Sequence, residues 1–318
     1  VNNIRKDTSN VVLPGEDKAV NKHLQNRKNI DGTRVNLNII GEVVLGDIEA
    51  EGRMTKYLKA LENPNIDYLS IKISTIYSQI NSLAFDQTVE ALVPRIAKIF
   101  LQAKKHTYIN KQGNEEHKFV NLDMEEYRDL PITVAAFKKA LELPELLDYK
   151  AGIVLQAYLP DSHLWQKDLT EWAKLRVKGG GSPIKVRLVK GANMEMEKTE
   201  SSLHGWQLTT YTDKIDTDSN YKIMAEYALE PENAKAVNLG VASHNLFELA
   251  YGFELAKHNN VLDCFSLEML EGMSEAARIA IADISGQSVI LYAPTADKEQ
   301  FTNAIAYLVR RLDENTSE

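Results

Sequence analysis

Short, nearly continuous apolar runs alternate with longer amphipathic stretches over most of this chain. The runs are VNLNIIGEVVL at 35–45, YLSIKIS at 68–74, FVNLDM at 119–124 and GIVLQAYL at 152–159, then IKVRLVKG at 184–191, LGVASH at 239–244, CFSLEML at 264–270 and SVILYA at 288–293. Such runs read as parallel strands buried on both faces, because a half-exposed strand alternates apolar with polar residues. Between them, apolar residues recur at helical spacing in Glu49 to Leu61, Thr88 to Gln102, Thr133 to Leu143, Leu164 to Val177 and Phe247 to Ala256. Strands alternating with helices predict a parallel sheet, and eight units predict its closure into a (β/α)8 barrel of the TIM type over residues 35–318.

Other stretches break the pattern. Residues 1–16 are polar, contain Pro14 and Gly15, and read as a loosely held lead-in. Residues 17–30 read as a short polar helix closed by Asp31-Gly32, so 1–34 form a segment before the barrel. The polar insertion KKHTYINKQGNEEHK at 104–118 turns at Asn110 to Gly113 and predicts a loop or small hairpin. Residues 200–217 make a long connection after the fifth strand, carrying Trp206 and Tyr211; long loops at the carboxyl rim of a barrel tend to be functional. Gly179, Gly180 and Gly181 read as a flexible turn, since no helix amino terminus follows them to receive a phosphate. The last helix, Lys298 to Glu314, packs through Phe301, Ala304, Ile305, Leu308 and Leu312, while Tyr307, Arg310, Arg311 and Glu314 share a neighbouring face.

Composition narrows the class. With 318 residues, the chain suits one large α/β barrel, and a net charge of −8 with pI near 5.5 argues against a nucleic-acid partner. The single cysteine, Cys264, rules out an intrachain disulfide and fits a reducing, cytoplasmic compartment; its place early in an apolar strand reads as core. No apolar run reaches the roughly 20 residues that cross a bilayer, so no transmembrane segment is expected, although peripheral contact with a membrane stays open. The chain begins with Val and stops soon after a strong helix, which reads as a piece of something longer.

Polar residues gather late in the runs: Glu42, Lys72, Asp123, Gln156, Arg187 with Lys190, His244 with Asn245, Glu268 and Tyr292. In a barrel these positions converge on one pocket at the carboxyl ends of the strands. Each has a plainer reading. Arg187 and Lys190 could be solvated charges with buried stems, Glu42 with Lys72 a structural ion pair, and His244-Asn245 a strand end and helix cap. Glu125 and Glu126, just after Asp123, read as solvated. Adjacent Arg310 and Arg311 beside Tyr307 suit a small carboxylate, because the guanidinium fork matches its geometry; a basic helix end paired with Glu314 is the alternative. The spacing of His and carboxylates suggests no metal site, and GxSxG, P-loop and GxGxxG motifs are missing.

Five motifs, IKVRLVKGAN at 184–193, VNLDMEEYRDL at 120–130, GIVLQAYLPDS at 152–162, EMLEGM at 268–273 and YLVRRLDEN at 307–315, resemble the proline dehydrogenase family. The likeness is greatest to the proline dehydrogenase domain of bifunctional proline utilization A proteins and covers about residues 35–316.

The resemblance implies a distorted barrel with its last helix over the carboxyl face and FAD bound there without a covalent link. It also implies oxidation of L-proline to Δ1-pyrroline-5-carboxylate by hydride transfer from proline C5 to flavin N5. By position, Arg310 and Arg311 would bind the proline carboxylate with help from Lys72. Leu270, Tyr292 and Tyr307 would pack the ring, and Glu42 would pair with an active-site arginine. Gln156, Arg187, Val189, Lys190, Gly191 and Ala192 match flavin contacts, Arg187 near N5, and Asp123 joins a polar network beneath the ring. Thr212, Lys214, His244, Asn245 and Glu314 match contacts to the ribityl, phosphate or adenine parts. Some members carry an aromatic pair after KGA where this chain has Asn193-Met194, so Trp206 is expected to take over part of that contact; they also have His where this chain has Glu271. The family further suggests a quinone acceptor, peripheral contact with an inner membrane, and an aldehyde dehydrogenase domain in the same chain. Two other readings of the barrel remain: a Schiff-base aldolase acting through Lys190, and a non-catalytic module.

Overall fold

A computed structural model describes residues 11–31, 33–41, 44–110, 112–298, 304–305 and 307–308. Eight parallel strands close into a ring: β2 (Val35–Ile39), β3 (Tyr68–Ile71), β6 (Phe119–Leu122), β7 (Gly152–Gln156), β8 (Ile184–Val189), β9 (Val237–Ala242), β10 (Phe265–Leu270) and β11 (Ile290–Ala296). Pairing of β11 with β2, Tyr292 opposite Asn36, completes the closure. The expected barrel is the observed one.

The two faces of the ring explain the strand sequences. Leu37, Leu69, Leu122, Ile153, Leu188, Leu239, Leu267 and Leu291 join the main apolar core with the helices. The alternating positions Asn36, Ser70, Asn121, Arg187, Glu268 and Tyr292 are equally buried, on the inner face. Charge and amide groups therefore fill an interior that a barrel more often fills with branched apolar side chains. Outside, the helix Phe85–Lys105 packs on Leu130–Leu141, with Phe100 and Phe137 edge to face at 6.2 Å.

Six of the eight strands end two to six residues earlier than the apolar runs suggested, because the last residues of those runs turn away from the ladder, whereas β10 ends with its run at Leu270 and β11 continues past its own to Ala296. Lys72 is already the residue preceding a short helix, Ile73–Ile76. The insertion is a hairpin of β4 (Thr107–Ile109) and β5 (Glu115–His117). The long connection after β8 contains two helices, Met194–His204 and Lys214–Ala228, whose polar sequences hid them.

The expectation of a loose lead-in is corrected for its described part. β1 (Leu13–Pro14) pairs with β11 at Thr295 and Ala296, beyond the point where β10 leaves it. The helix Asp17–Asp31 is anchored to the end of β10, where Glu271 accepts from Arg27 Nε at 3.1 Å and meets His23 Nε2 at 3.1 Å. Burial pushes the Glu271 carboxyl up, but His23 and Arg27 outweigh it and hold it below the usual range. A second apolar cluster, Val12, Ile40, Ala296, Ala304 and Tyr307, sets the helical residues Ala304 and Tyr307 beside the carboxyl ends of β2 and β11.

Candidate active site

The carboxyl ends of the strands bring together Lys72, Asp123, Gln156, Arg187, Val189, Leu270 and Tyr292. Two connected networks organise them. In the first, the Tyr292 hydroxyl on β11 donates to Asp123 Oδ2 at 2.7 Å, and Asn121 Nδ2 donates to Asp123 Oδ1 at 3.0 Å. Burial, with the Asp123 charge, pushes the Tyr292 phenol well above its ordinary value, so it stays a donor. The Arg187 guanidinium lies 4.7 Å from the Tyr292 ring centre. Its Nε donates to Glu268 Oε2 at 2.8 Å, and Glu268 also pairs with Lys185. Burial would lower the Arg187 pKa, but Glu268 and Asp123 outweigh it, and the guanidinium is a fixed cation inside the barrel.

The second network holds the rim. Lys72 Nζ lies 2.7 Å from Glu125 Oε1, and Ser74 donates to the other oxygen. Glu125 is thus a structural partner rather than the solvated charge its neighbours suggested. Gln156 Nε2 donates to the Glu125 carbonyl at 3.1 Å, while Gln156 Oε1, in a residue only 3% exposed, has no hydrogen-bond partner among the described residues.

After β8 the chain makes a cradle. Tyr158 N donates to the Lys190 carbonyl at 2.7 Å, drawing the strand end against the Tyr158 ring. Gly191 follows with φ +134°, and a Cβ there would collide with that ring. Lys190 Nζ is paired with Asp218 at 2.5 Å and Glu248 at 2.7 Å. Burial lowers its pKa, the two carboxylates outweigh that, and the net direction is upward.

The remaining expected residues spread along the rim. His244 Nε2 accepts from the Leu270 amide at 3.0 Å. Asn245 caps the helix Leu246–His258, its Oδ1 accepting from Phe247 N at 3.0 Å. Trp206 is exposed and stacks on His204 at 4.4 Å, Thr212 and Lys214 are exposed at the start of Lys214–Ala228, and Ala192 lies partly buried beyond Gly191. Glu42, Arg310, Arg311 and Glu314 lie outside the described residues. Sequence reasoning missed Lys185, Gly240, Tyr158 and the pairing role of Glu125. Only the KGA glycine hinted at Tyr158, and Arg187 and Glu268, 81 residues apart in sequence, gave no sign of the Lys185 and Gly240 that meet Glu268.

These residues fit a flavin. A buried acceptor without a donor among the described residues, Gln156 Oε1, suits the N–H edge of an isoalloxazine, and the cation of Arg187 suits a ring that gains negative charge on reduction.

Fold and site define a parallel α/β barrel with a charged, buried carboxyl face. The family model for proline dehydrogenase matches residues 20–318, and the chain belongs to that family. It is 28% identical over 308 residues to the bifunctional protein PutA of Escherichia coli, covering 89% of this chain but 21% of the relative. It is 27% identical over 238 residues to rat hydroxyproline dehydrogenase, covering 73% of this chain and 48% of that one. Among solved structures, proline utilization A from Corynebacterium freiburgense superposes with a TM-score of 0.90 at 43% identity over 98% of this chain and 31% of that protein. The enzyme from Bdellovibrio bacteriovorus, inactivated by N-propargylglycine, gives 0.86 at 33% identity over 100% of this chain and 33% of its own. The chain therefore spans about a third or less of these PutA proteins. No described helix is long and apolar enough to cross a membrane.

Proposed function

We propose that the chain oxidises L-proline to Δ1-pyrroline-5-carboxylate, with FAD held over the carboxyl face. The observation that carries this reading is the buried set at that face, Gln156 on β7, whose Oε1 has no partner among the described residues, and the clamped Arg187 cation on the neighbouring β8, in a chain of the proline dehydrogenase family. FAD, when bound, supplies the hydride acceptor. The chain's residues bind and orient. Gln156 accepts from the flavin, Arg187 sets a cation beside it, and the Val189 to Ala192 backbone with Lys190 lies along it. Trp206, Thr212, Lys214, His244, Asn245 and Glu314 would hold its ribityl, phosphate and adenine parts, while Asp123, which fixes Tyr292 through its hydroxyl, would belong to the polar network beneath the flavin.

Arg310 and Arg311, with Lys72, grip the substrate carboxylate, and Leu270, Tyr292 and Tyr307 press the pyrrolidine ring into place. Glu42 pairs with one of the arginines. Fixing C5 in this way removes the entropy cost of alignment from the reaction step. Proline gives up a hydride from C5 and a proton from its amine, and the C5–N bond becomes double. A quinone suits the following reoxidation. An aldehyde dehydrogenase domain in the same chain suits the product once it is hydrolysed to the semialdehyde. A Schiff-base aldolase acting through Lys190 fits less well, because two carboxylates keep that amine protonated when catalysis would need it neutral.

The test is steady-state turnover with an artificial acceptor. Arg310→Met and Arg311→Met should each lower kcat/KM for L-proline by about thirtyfold or more, the loss of a charged contact of ~2 kcal/mol. Variants within about threefold of the parent refute the clamp. Similarity to a hydroxyproline dehydrogenase makes hydroxyproline the competitor to assay beside L-proline.

A further inference from the structure

Inside the barrel, β8 and β10 face each other across β9. Their inner side chains can meet only if the residue between them is small. Arg187 is in register with Gly240, and Gly240 with Ser266, so Gly240 lies between Arg187 and the stretch of β10 that carries Glu268. A Cβ at Gly240 would collide with Glu268 Oε1 and approach Lys185 Cε to 2.8 Å. Glu268 occupies the space left by that missing side chain. It is fully buried, pairs with Lys185 from one oxygen and accepts from Arg187 Nε at 2.8 Å with the other.

The Arg187 guanidinium is thus held on one edge by Glu268 while it lies over the ring of Tyr292, whose hydroxyl Asp123 fixes. An arginine has a long stem and many rotamers, so without such a partner its charge would be spread over several positions. Replacing the carboxylate also leaves Lys185, whose side chain is only 12% exposed, without its counter-ion.

We propose that Glu268 is a positioning residue for the flavin site: seated over Gly240 between Lys185 and Arg187, it fixes the Arg187 guanidinium in the place from which it meets the cofactor. The proposal rests on the reading of Arg187 as a flavin contact. Glu268 is fully buried and acts through Arg187. Lys185 completes the charge balance, leaving one net positive charge among the three groups.

The experiment uses the whole chain, FAD and L-proline, with the dissociation constant of FAD from the apoprotein and the steady-state constants as readouts. Glu268→Gln should weaken FAD binding about tenfold and lower kcat by a similar factor, with KM for L-proline within about twofold of the parent, since the carboxylate clamp lies elsewhere. In an Arg187→Met background the same substitution should change neither quantity by more than about twofold, because its effect passes through the missing guanidinium. If the Lys185 left behind prevents folding, the pair Lys185→Met and Glu268→Gln removes both charges and should show the same loss in FAD affinity.

Parental FAD affinity and kcat in a folded Glu268 variant overturn the proposal, as does full additivity with Arg187→Met. A parent that binds no FAD, or binds it and does not respond to proline, instead overturns the function on which the proposal rests. The two failures are therefore distinct.

Discussion

Tyr292→Phe removes one oxygen from the centre of the site and keeps the ring. The lost bond is the 2.7 Å donation to Asp123, between two residues exposed by 6% and 7%. Buried hydrogen bonds to a charged group contribute about 1.5–3 kcal/mol. Asp123 keeps its 3.0 Å bond from Asn121, so the carboxylate is not stripped of partners and the loss falls in the lower part of that range. The contact between the ring and Arg187 survives, and its ~0.5–2 kcal/mol is not at stake. The expected cost is about 1.5–2.5 kcal/mol in urea unfolding, or roughly 2–4 °C in Tm for a chain of this length. Asp123→Asn in the same background should add less than it costs alone, giving a coupling of about 1 kcal/mol or more. A loss below ~0.5 kcal/mol, or strict additivity, would show that the bond does not organise the site.

A second prediction concerns the rim at Asp129, where burial first and then the neighbouring Glu126 carboxylate push the pKa up to about 6 from 3.8. A carboxyl raised on folding contributes stability that is fully present below its unfolded pKa and is lost as pH rises through its folded one. Asp129→Asn should therefore be the more stable protein above about pH 6, by about 1–2 kcal/mol after allowing for solvent, and the advantage should disappear near about pH 4; a pH-independent difference in urea midpoint refutes this. Gly191→Ala asks for a side chain at φ +134° against the Tyr158 ring and should cost at least ~2 kcal/mol while weakening FAD binding; parental Tm and FAD affinity in that variant would contradict the cradle.

Much of this architecture could be read from the apolar runs, because strands buried on both faces keep few polar positions and the helices between them repeat clearly. The runs overstated strand length, since residues such as Ile73 and Leu159 are as apolar as the ladder but already belong to turns and short helices. Leu13 and Pro14 are too few to show a period, so their place beside β11 was invisible. The motif residues on the inner face could be named one by one, yet their partners could not. Glu268 meets Lys185 and Arg187 only because Gly240 lies between them, and Glu125 meets Lys72 only because the chain turns after β3 and β6. Such contacts depend on register and closure, which periodicity does not encode. Met194–His204 was missed for a related reason, as its sequence MEMEKTESSLH has little apolar stripe to reveal a helix.

The central claim is a flavin over the carboxyl face that takes electrons from proline, and the most direct measurement is an absorbance spectrum of the purified protein before and after anaerobic L-proline. The account predicts flavin bands that bleach on adding L-proline and return with an electron acceptor. Bands that ignore proline would contradict the substrate, and a protein that shows none after addition of FAD would contradict the claim itself.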